Sequence, residues 1–117
     1  MARSNLQFDP GELPYGYNSG GALVASGVIV NAGPARLFNL TVTSESASDQ
    51  YVLLFDAAAV PANGAAAAFK VPAGSTARID YGTRGKAFKN GICWSNSSTL
   101  PTRTVGAADC YAEANWH

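Results

Sequence analysis

From Ala22 onward, apolar runs of strand length alternate with turn signals roughly every eight to twelve residues, the spacing of a β-sandwich or barrel. The first run, Ala22–Asn31, ends at Asn31-Ala32-Gly33-Pro34. Arg36–Ser44 follows with a period of two. Phe38, Leu40 and Val42 fall on one face and Asn39, Thr41 and Thr43 on the other, the mark of a half-buried strand. Gln50–Ala57 holds Tyr51-Val52-Leu53-Leu54-Phe55, apolar on both faces. That predicts either a central strand or a strand with one face against another subunit.

The Ala-rich stretch Ala57–Ala68 contains Pro61, Asn63 and Gly64, which cut it too short for a stable helix and predict a loop. Phe69–Pro72 reads as a short strand before the turn Pro72-Ala73-Gly74-Ser75. Thr76–Tyr81 alternates with Ala77, Ile79 and Tyr81 inward, and Gly82-Thr83-Arg84-Gly85 is a hairpin-type loop. Lys86–Ser95 and Ala107–Trp116 are the last two predicted strands, joined by the polar stretch Asn96–Thr104.

Residues 1–21 form a separate unit, an extended N-terminal arm. Pro10, Gly11, Pro14, Gly16, Gly20 and Gly21 exclude helix and interrupt strand. Yet Leu6, Phe8, Leu13, Tyr15 and Tyr17 are spaced through it, where a disordered tail carries few aromatics. These five residues are the candidate anchors to a partner surface. The alternative is that the arm folds back on its own domain, residues 22–117.

Composition changes this picture in one respect. The chain has 117 residues, enough for one domain with its own core. Only 14% of them are charged, against a usual value of about 25%. A surface so poor in charge suits either a subunit packed against neighbours or a neutral monomer. Net charge is zero, but residues 70–103 sum to +5 and residues 1–69 to −3, a segregation that can orient subunits. It is too weak a basic footprint to imply nucleic acid. No apolar run is long enough to span a membrane, and Met1–Pro10 has no apolar signal core, so synthesis in the host cytoplasm is expected. Asn39-Leu40-Thr41 and Asn96-Ser97-Ser98 match the glycosylation pattern and are read as chance.

Candidate chemistry is sparse. The one histidine, His117, sits at the end of the chain, a position too loosely held to orient a base. Two distant cysteines and that histidine do not make a zinc site, so no metal or other cofactor is expected. Cys93 and Cys110 lie in consecutive predicted strands. They pair as a disulfide if those strands are antiparallel neighbours, or remain two small buried thiols. Gly82-Thr83-Arg84-Gly85-Lys86 looks like a phosphate loop, but Ala87 replaces the required Ser or Thr, so it reads as a basic turn. Trp94, Tyr111, Trp116, Tyr81 and Phe88 form either a sugar-stacking platform or core and interface anchors. No catalytic residue and no enzymatic activity are expected.

From Leu37 to Trp116 the chain resembles a group of small virion structural proteins of tailed bacteriophages. The resemblance rests on Leu37-Phe38-Asn39-Leu40-Thr41-Val42, Tyr51-Val52-Leu53-Leu54-Phe55-Asp56-Ala57, Val71-Pro72-Ala73-Gly74-Ser75, Asp80-Tyr81-Gly82, and Trp94-Ser95-Asn96-Ser97-Ser98-Thr99-Leu100. These are turn and strand patterns and carry no catalytic residue. The resemblance implies a β-sandwich located on the virion, with the major capsid protein or other virion proteins as partners. The combined expectation is an all-β, antiparallel, sandwich or jelly-roll-like domain of about seven to eight strands, behind an extended arm. Its expected role is capsid decoration as a homo-oligomer, with no nucleic-acid or membrane partner. The rival roles are a tail, neck or fibre component, and a carbohydrate-binding module.

Overall fold

A computed structural model describes residues 15–20, 22–100, 102–104 and 106–117. Within them are nine strands: β1 (Tyr15–Asn18), β2 (Ser26–Val30), β3 (Ala35–Ser44), β4 (Gln50–Phe55), β5 (Ala67–Val71), β6 (Thr76–Asp80), β7 (Lys86–Phe88), β8 (Ile92–Ser97) and β9 (Cys110–Trp116). They form two antiparallel sheets. The first has the order β1-β9-β3-β6, with β7 also paired to β3, and the second has the order β2-β8-β4-β5.

The pairing is concentric. β1 pairs β9, β2 pairs β8, β3 pairs β6, and β4 pairs β5. One long antiparallel ribbon is therefore folded over itself so that alternate pairs fall in opposite sheets. That is the wrapping of a jelly roll, and the fold is an all-β sandwich of this kind. β6 and β7 are two parts of one edge. β6 matches Asn39–Thr43 of β3, β7 matches Ala35–Leu37, and residues 81–85 loop out between them.

Two features move residues from the faces their alternation predicts. A bulge in β3 between Leu37 and Asn39 adds one residue to the strand. Leu37, Leu40, Val42 and Ser44 are buried, whereas Phe38 turns away and packs against Gly85. A single extra residue reverses every later side chain in a strand, so the expected set Phe38, Leu40, Val42 loses its first member. The second feature is a break in Lys86–Ser95, read above as one strand. β7 ends at Phe88, and β8 starts at Ile92 in the opposite sheet. The Asp56 carboxylate holds this crossover, accepting from the Lys89 and Asn90 backbone N–H groups at 2.9 and 2.7 Å. Gly91 follows at φ 145°, and a Cβ there would collide with the Ala57 and Val30 carbonyls.

The main core lies between the sheets, around Trp94, Phe88, Leu37, Leu40, Leu54, Ile92, Val42 and Val52. Each fully buried large side chain contributes about 1.5–3 kcal/mol. A second cluster of Leu53, Phe55 and Cys93 lies on the outer face of the β2-β8-β4-β5 sheet, beneath Ala57, Val60 and Ala65 of the following loop. β4 is thus a central strand, apolar on both faces because its own loop roofs the outer one.

Candidate functional site

The five candidate anchors divide. Leu6, Phe8 and Leu13 lie outside the described residues. Tyr15 and Tyr17 lie in β1, where the sequence predicts arm, and both touch their own domain. The Tyr17 hydroxyl accepts a hydrogen bond from Trp94 Nε1 at 3.2 Å, bridging the two sheets. Gly27 makes room for that bond, because a Cβ there would strike both Tyr17 Oη and Trp94 Nε1. The Tyr15 ring lies 4.7 Å from Trp116 and stacks on His117 at 5.7 Å. His117 is better held than its place in the sequence predicts. It exchanges two 2.9 Å backbone hydrogen bonds with Arg36, continuing the β3–β9 ladder.

Cys93 and Cys110 are free, buried thiols. The expected neighbour relation does not exist, because β8 pairs β2 and β4 whereas β9 pairs β1 and β3. Cys93 belongs to the outer cluster and donates to the Ala57 carbonyl at 3.0 Å; Cys110 belongs to the main core. Burial raises both thiol pKa values, that of Cys110 to about 11. Neither ionises readily near neutral pH.

The five aromatics proposed as a sugar platform share no exposed face. Trp94 and Phe88 are fully buried, and Tyr81 and Trp116 pack against the same core. Tyr111 donates to Glu113 Oε2 at 3.2 Å on the exposed side of β9. Asn96 is buried, with Nδ2 donating to the Ala107 carbonyl at 2.8 Å and Oδ1 accepting from Gly106 N–H at 3.1 Å. This leaves no amide for a glycan in the folded state. The Gly82–Lys86 turn places Gly82 and Gly85 at φ 76° and 70° within the edge loop. Among the described residues, no three His, Cys, Asp or Glu side chains converge as a metal site. No described helix is long and apolar enough to cross a membrane.

Two surfaces remain. Among the described residues, the outer face of the β1-β9-β3-β6 sheet has no apolar roof like that over the other sheet. It is polar and knitted by Asn115–Asn39, Thr43–Thr76 and Arg78–Asp80 contacts of 3.3, 2.8 and 3.1 Å. A shallow depression of about 440 Å³ crosses it between Asn18 and Arg78. The other surface is the side where β1 and β2, an edge strand from each sheet, approach through Tyr17, Gly27 and Trp94. Sequence reasoning missed it. Its signal was the absence of any charged residue from Leu13 to Ala35.

No family model matches the chain, and no curated protein is detectably similar to it. Two solved structures of the Tobacco streak virus coat protein are similar in chain path. A C2 crystal form matches with TM-score 0.47 and 12% identity over 94% of this chain and 87% of that one. The coat protein dimer matches with TM-score 0.45 and 12% identity over 87% and 83%. These come from a plant virus, whereas the motif resemblance pointed to tailed bacteriophages. At TM-scores below 0.5 the likeness is loose, and the jelly-roll assignment stands on the strand pairing itself.

Proposed function

We propose that this protein is a virion structural protein that decorates an assembled capsid and stabilises it. The observation that carries this reading is the neutral edge strand β1 of a charge-poor jelly roll. The segment holding Leu6, Phe8 and Leu13 leads directly into β1. Jelly rolls serve as building units of viral shells, and free neutral edges accept strands from neighbours. A protein that binds only the assembled shell stabilises it by mass action, by about 2.7 kcal/mol per site at a hundred times Kd. The partners on this reading are the major capsid protein or other virion proteins, and the location is the particle, after synthesis in the host cytoplasm.

The test must leave β1 intact. Residues 15–18 are hydrogen-bonded to β9, so the truncation removes residues 1–14 only. Full-length protein is expected to co-sediment with empty heads and the truncated protein to stay in the supernatant. Undiminished binding of the truncated, folded protein would sink the arm's role. A copy number that scales with the shell subunits supports decoration; one that matches a single portal or tail ring supports a tail, neck or fibre position. The polar sheet face favours one reading of another class, a carbohydrate-binding module, since jelly rolls also serve as lectins. A glycan array that lights up while heads remain unbound would decide for it.

A further inference from the structure

Edge strands invite unwanted pairing, and proteins normally guard them with charge, proline or a short length. Two edges of this sandwich are guarded. β6 carries Arg78 and Asp80, while β5 carries Lys70 and runs into Pro72. β1 and β2 carry no charge at all, and neither does any residue from Leu13 to Ala35. Exposed apolar side chains gather on the same side. Among the described residues four large hydrophobics are exposed. Three of them belong here: Tyr15 at 54%, Leu23 at 44% and Val28 at 40%. Next to Val28 is a shallow depression floored by Val30, Ala58 and Trp116.

We propose that this side is where a second copy of the chain packs, about a two-fold axis passing beside Val28 of β2. A two-fold contact brings each residue near its own mate, so the surface must be complementary to itself. β1 and β2 meet that condition, because neither strand carries a charge to repel its copy. The bulge at Ile29 confines regular pairing to Ser26–Val28, so apolar contact carries the contact more than backbone hydrogen bonds do. Antiparallel pairing across the axis puts Val28 about 5 Å from its mate, while Tyr15 and Leu23 flank it.

The inference concerns the free protein and is tested without any particle, so its failure and that of the decoration reading are distinguishable. Sedimentation equilibrium of the full chain should show a dimer. Val28→Lys and Val28→Glu each place like charges across the axis at an exposed position. Each should weaken dimerisation at least ten-fold, with the melting temperature unchanged at dilutions where the parent chain is monomeric. An equimolar mixture of the two should restore dimers, because Lys then faces Glu. Lys70→Glu on the guarded β5 edge should leave dimerisation as in the parent chain. A monomeric parent chain overturns the proposal, as does a dimer indifferent to both Val28 variants, or a mixture that stays monomeric.

Discussion

Gly27 sits where a side chain has no space. Its neighbours across the sandwich are the Tyr17 hydroxyl and Trp94 Nε1, which are hydrogen-bonded to each other. Gly27→Ala should therefore cost about 1–3 kcal/mol, the usual penalty for overpacking a core. Tyr17→Phe should cost a similar amount by leaving the indole N–H of a fully buried tryptophan without its acceptor. Urea unfolding of both variants checks this, and a near-neutral Gly27→Ala would mean the two sheets separate easily at β1. The thiols allow a second test at this scale. Cys93 and Cys110 lie in different clusters, and burial raises both pKa values. Iodoacetamide at pH 8 should label neither in the native protein and both after denaturation. Air oxidation should yield no intramolecular disulfide by mass spectrometry.

At the scale of elements, pairing with β9 brings residues 15–18 of the N-terminal stretch into the sandwich. On the decoration reading, in which residues 1–14 anchor to a partner, their removal should leave the melting temperature unchanged. Removing residues 1–18 strips β9 of its edge partner and Trp94 of its acceptor, and should cost about 2 kcal/mol. Differential scanning calorimetry of the two truncations distinguishes them. β1 was not legible because Tyr15-Gly16-Tyr17-Asn18 is short, glycine-bearing and flanked by Pro14 and Gly20, all local signals against a strand. Pairing with the far end of the chain overrides them. The run Thr76–Asp80 was legible, since strict alternation survives wherever the register is unbroken. Phe38 was misplaced for the opposite reason. A bulge depends on what the partner strand does, and neither Leu37 nor Asn39 announces it. The β7–β8 break was written more plainly, in Lys89-Asn90-Gly91, but that triplet also reads as a kink within one strand.

At the scale of the molecule, the concentric wrapping explains why the sandwich was legible and its neighbour relations were not. Period-two runs fix the number of layers, yet Cys93 and Cys110 in successive strands fall into opposite sheets. The same wrapping leaves long connections at both ends, and carboxylates hold them. Asp49 accepts from the Ala73 backbone and pairs with Lys70, Asp56 caps the Lys89–Asn90 crossover, and Asp80 accepts from Gly82 and pairs with Arg78. These contacts, backbone hydrogen bonds foremost, lower all three pKa values below 3.8. A carboxylate with a depressed folded pKa adds stability that is present above its unfolded pKa and lost as pH falls through the folded one. The thiols set the other limit. The unfolded Cys110 thiol ionises near 9.0 and the folded one near 11, so rising pH favours the unfolded chain across that interval. Stability should therefore be level between about pH 5 and pH 8, fall below pH 4, and fall again above pH 9. Urea titrations across pH check this. The triple variant Asp49→Asn, Asp56→Asn, Asp80→Asn should flatten the acid limb alone, and Cys110→Ser should relieve only the alkaline one. An acid limb unchanged in the triple variant would mean that these three carboxylates do not hold the ends of the sandwich.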